Sequence, residues 1–90
     1  MPEIECVYGL HFSEIADKLR EKLAFEGKSL GELIDFLNAR YSGFKEELID
    51  AQTGVFVTRN QIMLTRKDES ARPLFTLDAD IKDGDLLTFY

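Results

Sequence analysis

Period-two alternation opens the chain. In IECVYG, residues 4–9, Ile4, Cys6 and Tyr8 fall on one face and Glu5 and Val7 on the other, which predicts a strand with one buried side. LREKLAFEG, residues 19–27, is mixed. Leu19, Leu23 and Phe25 suit alternation, whereas Ile15, Leu19 and Leu23 also suit a helix. The reading is a short helical or loop segment from Ser13 that gives way to a strand ending at Gly27.

The pattern then changes to a helical period. In SLGELIDFLNARYSG, Leu30, Leu33, Ile34, Leu37 and Tyr41 recur at three- and four-residue spacing and define one buried stripe. Ser29 with Glu32 three positions later predicts a capping box at the start. Ser42-Gly43 predicts the end, with glycine in the left-handed position. Phe44, Leu48 and Ile49 suggest a further helical turn or a packed loop. GVFVTRNQIML, residues 54–64, reads as two short strands about a turn at Asn60-Gln61, although Gln61 is a poorer turn residue than glycine. TRKDESARP, residues 65–73, is polar and closed by proline, so it predicts an exposed loop. It gathers Arg66, Lys67 and Arg72, with Arg59 just before, and solvated surface is the expectation for them. LLTFY, residues 86–90, closes as a strand with Leu87 and Phe89 on one face and Leu86, Thr88 and Tyr90 on the other. The predicted order is strand, strand, helix, strand, strand, strand: an α+β layer, a mixed sheet with one main helix packed across it.

Composition narrows the function. Ninety residues make a single domain spanning 1–90, large enough for one modest core without disulfides or a metal. The net charge of −6 argues against nucleic acid and against an anionic membrane surface, which need clustered Lys and Arg. A partner with a basic groove is the more natural fit. Cys6 is the lone cysteine and His11 the lone histidine. A disulfide, a thiolate zinc site and a Ser-His-Asp triad therefore lack support, and a Cys-His pair would have to use these two residues. Cys6 is expected as a small core residue and His11 as structural or exposed. The apolar runs are short, which predicts neither a signal peptide nor a membrane span, and a cytoplasmic protein.

DADIKDGD, residues 78–85, crowds four aspartates into eight positions. A calcium loop fails there: counted from Asp78, position five is Lys82, the glycine arrives late at Gly84, and position twelve is Phe89. Paired catalytic carboxylates would need one group desolvated, and this polar stretch is expected to keep them wet. The remaining reading is a tight turn, Asp83-Gly84-Asp85, with Gly84 at positive φ and the aspartates bonding nearby N–H groups. It launches the last strand. No metal site and no cofactor is expected.

The order of these pieces resembles the ubiquitin-like β-grasp sulfur carriers, the molybdopterin synthase small subunit (MoaD) and the thiamine-pathway carrier (ThiS). The matching residues are Glu26, Gly27, Ser29, Leu30, Glu32, Leu33 and Ile34 in the strand-to-helix stretch. Asn60 matches at a strand end, and Ile81, Lys82, Asp83, Gly84 and Asp85 match in the last turn. The resemblance spans nearly the whole chain and leans toward the molybdopterin branch by length. It implies a β-grasp sheet of about five strands with one main helix on one face, and a carrier that is not an enzyme by itself. A tail ending in Gly-Gly is activated by an ATP-dependent adenylating enzyme, carries sulfur as a thiocarboxylate, and enters the active site of a molybdopterin synthase large subunit.

This sequence ends at Tyr90, where that family continues into its tail. Three expectations follow: the tail lies beyond the sequence in hand, the chain is matured by proteolysis, or the fold is kept as an interaction module without carrier chemistry. Gln61 in place of the usual glycine and the 65–73 stretch mark a divergent branch. By alternation, Ile4, Cys6, Tyr8, Val55, Val57, Leu87 and Phe89 face the helix. Val7, Phe56, Leu86 and Tyr90 are then expected on the open face as the partner-binding surface.

Overall fold

The computed structural model of the protein describes residues 3–50, 52–54, 56–57 and 60–90. Expectations placed on Val55, on Arg59 and on the side chain of His11 lie outside the described residues. Strand β1 (Glu3–Tyr8) alternates as its sequence predicts, with Ile4, Cys6 and Tyr8 buried. Helix α1 (Leu10–Ala16) follows directly, earlier than the expected start at Ser13. Its Phe12 and Ala16 enter the core, and Asp17 closes it in the left-handed conformation at φ 58°. Strand β2 (Arg20–Ala24) buries Leu23 but leaves Leu19, in the preceding turn, 73% exposed. The apparent helical match of Leu19 was thus accidental.

The main helix α2 (Leu30–Arg40) stands where its periodicity puts it, with Leu30, Leu33, Ile34 and Leu37 buried. The Ser29 hydroxyl accepts from the Glu32 N–H at 3.2 Å and also faces the Glu32 carboxylate at 3.3 Å. The bond from the Glu32 N–H to the Ser29 hydroxyl is one half of a capping box. Gly43 sits at φ 91° and starts a short helix α3 (Phe44–Leu48), whose Phe44 and Leu48 are buried.

Strand β3 (Ile62–Thr65) pairs with a two-residue strand β4 (Arg72–Pro73), and β5 (Leu86–Phe89) returns between β3 and β1. The sheet order is β2-β1-β5-β3-β4, with β1 and β5 parallel and the other pairs antiparallel. This mixed five-stranded sheet with α2 over one face is the β-grasp arrangement expected from the sequence.

One hairpin was placed wrongly by the sequence. The turn lies in residues 66–71, where Asp68 takes φ 66°, and not at Asn60-Gln61. Asn60-Gln61 only leads into β3, so 54–61 supplies no sheet strand among the described residues. Phe56 makes an isolated bridge to Ile49, and Val57 donates its N–H to the Leu48 carbonyl at 2.8 Å. Phe56 therefore packs half-buried against the core and is not on the open sheet face; Val57, expected inward, is also only half-buried. The stretch read as pure loop provides β4, an exposed edge.

An aromatic layer fills the core at the β5 end. Phe44 lies 5.2 Å from Phe89 edge-on and 5.4 Å from Phe12, and Tyr8 stacks on Phe89 at 5.9 Å. Such offset and edge-to-face pairs add to the burial itself. Among the described residues no helix is long and apolar enough to cross a membrane.

Candidate functional site

The sheet face opposite α2 is assembled by register. Val7 stands beside Thr88 and Arg20, Thr88 beside Met63, and Leu86 beside Glu5 and Thr65. Side chains of one parity share a face, so Val7, Leu86, Thr88 and Met63 form a half-buried apolar centre with Arg20, Lys22, Glu3 and Glu5 along one side. Arg20 pairs with Glu5 through its guanidinium. Of the four residues expected here, Val7 and Leu86 are in the face and Tyr90 continues it, 39% exposed. Phe56 is not part of it. Met63 was missed because its strand was paired with the wrong neighbour.

The end of β5 is held on both sides. Tyr90 and Gln61 exchange backbone hydrogen bonds, at 2.9 and 2.5 Å, and Gly9 donates its N–H to the Phe89 carbonyl at 2.8 Å. A Cβ on Gly9 would come within 3.0 Å of the Tyr90 Cβ and 3.3 Å of the Phe89 carbonyl oxygen. Glycine there permits close approach of the last residues to β1. Gln61 occupies the position where the resemblance would have glycine, and its backbone extends the ladder.

The Asp83-Gly84-Asp85 turn has the expected form. Gly84 takes φ 85°, Asp83 Oδ1 accepts from the Glu3 N–H at 2.7 Å, and Asp85 Oδ2 accepts from the Lys82 N–H at 2.7 Å. One expectation is corrected: Asp85 is not wet but 2% exposed. It sits against the guanidinium of Arg66, at 3.0 Å from Nε and 3.3 Å from the second nitrogen, and Arg66 also reaches the Asp80 carbonyl at 2.8 Å. Hydrogen bonding to Asp85 holds Arg66 above its ordinary range. A desolvated carboxylate is tolerable only with such a partner. The clamp ties the β3–β4 connection to the turn that launches Leu86, and it was missed because its two members lie 19 residues apart.

A second polar cluster was also missed. The Tyr8 and Tyr41 hydroxyls donate to Glu21 Oε2 at 2.6 and 2.5 Å, with Lys18 at 3.4 Å and Arg40 at 3.8 Å from Oε1. Burial pushes the Glu21 carboxyl upward, but the Tyr41 and Tyr8 hydrogen bonds and the Lys18 charge hold it below its usual range. This cluster joins β2 to the end of α2 and satisfies its own groups, so it reads as a structural tie. Cys6 is fully buried, and burial pushes its thiol up to about 12. It is a core residue, not a nucleophile. Among the described residues, no group of three or more His, Cys, Asp or Glu could hold a metal.

No family model and no curated protein matches the chain. Solved structures do. A Pyrococcus furiosus protein provisionally assigned as molybdopterin converting factor, subunit 1, superposes with a TM-score of 0.74 at 22% identity, covering 99% of this chain and 95% of that one. The small archaeal modifier protein 1 of Haloferax volcanii gives 0.70 at 18% identity, covering 99% and 95%. The solution structure of the Haloferax volcanii HVO 2177 protein gives 0.74 at 18% identity, covering 98% and 80%. At these identities the likeness establishes the fold. It agrees with the ubiquitin-like β-grasp resemblance read from the sequence.

Proposed function

We propose that this chain is a non-catalytic sulfur carrier of the molybdopterin-synthase small-subunit kind, working in the cytoplasm through a Gly-Gly segment that follows Tyr90. Its partners in this reading are an ATP-dependent adenylating enzyme and a protein like the molybdopterin synthase large subunit. Both dock on the face made by Val7, Leu86 and Tyr90, joined by Met63 and Thr88. The observation that carries the reading is the anchored end of β5. Gln61 and Gly9 hold the last residues in the sheet, so any chain beyond Tyr90 leaves from a fixed point beside an apolar surface. A substrate-bearing terminus needs such a fixed exit, since positioning a reacting group lowers the entropic part of the barrier. The likeness to the Pyrococcus converting-factor subunit leans the same way.

A second reading, favoured by the likeness to the Haloferax modifier protein, is that the activated terminus is joined to other proteins. Both readings need the same activation, and they part at the acceptor. The deciding experiment uses the complete gene product, incubated with a cognate adenylating enzyme, ATP and a sulfur donor and followed by intact mass. The carrier reading expects one oxygen at the terminal carboxyl to be exchanged for sulfur. A modifier would instead appear covalently attached to lysines of other proteins. A gene that stops at codon 90 removes both and leaves a tail-less interaction module. Substituting Val7→Asp should abolish capture of the adenylating enzyme while the fold persists, and undiminished capture would remove this face from the proposal.

A further inference from the structure

Strand β2 ends the sheet and has a neighbour only on its β1 side. Tyr8 donates its N–H to the Leu19 carbonyl at 2.8 Å. In the register of this pair, the antiparallel ladder then bonds Cys6 to Glu21 and Ile4 to Leu23. Arg20, Lys22 and Ala24 turn their N–H and C=O groups outward, to no strand among the described residues. Beside this row, between the end of β2 and the first turns of α2, runs an open groove of about 590 Å³. Its floor is aromatic, with Phe25 and Phe36 at 5.6 Å from each other. Gly27 leaves that floor uncovered, since a Cβ there would come within 2.4 Å of the Phe25 ring and 2.8 Å of a Glu32 carboxylate oxygen. The rim carries Glu26, Glu32 and Asp35, and the described lining includes no basic side chain.

We propose that this edge and groove take an extended segment of a basic protein as an added strand. One apolar side chain of the segment rests on the Phe25–Phe36 floor, with a lysine or arginine two positions to either side. The surface is separate from the Val7 face, and the inference does not rest on the carrier reading. An open strand edge templates an extended chain, and main-chain hydrogen bonds then supply affinity while alternate side chains supply specificity. Side chains of one parity on the added strand face the groove, so its apolar and basic residues stand two apart. Glu26 and Glu32 make no ion pair among the described residues. Asp35 is paired at 2.9 Å with Lys45, an exposed pair that costs little to exchange. The net charge of −6 favours the approach of a cation-bearing chain and opposes a second copy. The intervening side chains of the segment point toward Arg20 and Lys22, which reject basic residues at those positions and so fix the register.

The test titrates the synthetic peptide TKTVTRT, blocked at both ends, into the isotope-labelled protein. The expected result is a saturating change at the Lys22, Ala24 and Glu26 amides and slowed hydrogen exchange at Lys22 and Ala24. Binding should weaken as salt rises. The acidic peptide TETVTET should not bind. Glu26→Lys should weaken TKTVTRT by about threefold to tenfold, the effect of reversing one exposed charge. Lys22→Pro removes one outward N–H without removing a β1 ladder bond and should abolish binding, whereas Lys22→Thr keeps the N–H and should retain it. Phe75→Asp, at an exposed residue beyond the opposite sheet edge, should bind like the parent. Circular dichroism of each variant should match the parent. Absence of saturable binding up to about 1 mM overturns the proposal. So does equal binding of TETVTET, an unchanged affinity in Glu26→Lys, or exchange at Lys22 and Ala24 that the peptide leaves as it was.

Discussion

Replacing Arg66 with Met leaves the Asp85 carboxylate buried and short of its countercharge. The aliphatic stem of the clamp is kept, and what goes is the guanidinium with its contacts to Asp85 and to the Asp80 carbonyl. Removing one member of a buried pair costs about 3–5 kcal/mol, against about 0–1 kcal/mol for a surface pair. Asp85 is 2% exposed and Arg66 17%, and the Lys82 N–H still reaches Asp85. The lower end of the range applies, about 3 kcal/mol. A domain of this size moves by about 4–8 °C per kcal/mol, so the melting temperature should fall by about 12–24 °C. Denaturant unfolding of the parent, Arg66→Met, Asp85→Asn and the double variant gives the cycle, and the double should lose less than the sum. A cost below about 1 kcal/mol for Arg66→Met would refute the reasoning, because the pair would then be behaving as an exposed one.

Glu21, with its folded-state pKa lowered, contributes stability that is present above the ordinary Glu value of about 4.3 and lost as pH falls through the lower folded value. An acid titration of stability should therefore be shallower in Glu21→Gln than in the parent, and equal slopes would count against the tie. Cys6, buried and pushed up to about 12, should resist alkylation at pH 8 in the native protein and react only as fast as the chain unfolds. Gly9→Val should push against Tyr90 and open the Gln61–Tyr90 pair, costing about 1–3 kcal/mol; hydrogen exchange at those two amides should rise before that of the β1 amides. Gly84→Ala should cost about 1–2 kcal/mol, since the added Cβ meets no neighbour and only the positive φ opposes it.

What was legible in the sequence was what local chemistry decides. The stripe of α2, its Ser29 start, the alternation of β1 and β5 and the Gly84 turn each rest on residues within one or two turns of one another. What was missed depends on residues far apart. Arg66 looked like loop surface, because only the folded chain brings Asp85 to it. Tyr8, Glu21 and Tyr41 meet through three different elements, and no spacing announces them. The hairpin error has a different cause. Asn60 suggested a turn and drew the pairing toward it, while Asp68 took the left-handed conformation that the connection needed. With that error Phe56 was sent to the sheet face, and Met63 was left out of it.

The corrected face also changes what the net charge means. The sequence suggested a partner with a basic groove, because the chain is acidic as a whole. On the face itself Glu3 and Glu5 stand against Arg20 and Lys22, two charges of each sign, and Arg20 already satisfies Glu5. The acidic excess lies elsewhere, in Glu32 and Asp35 of α2, Glu46 and Glu47 of α3, and the polar connections. Field strength at a docking surface follows the charges nearest it, since distant ones are screened within about 8–10 Å at ordinary ionic strength. In the function proposed here, recognition at Val7, Leu86 and Met63 would therefore be governed by apolar fit and by the order of alternating charges along β2 and β1, which sets register more than affinity. The acidic excess on the helices adds repulsion between like-charged molecules and steers where else on the molecule a basic partner could approach.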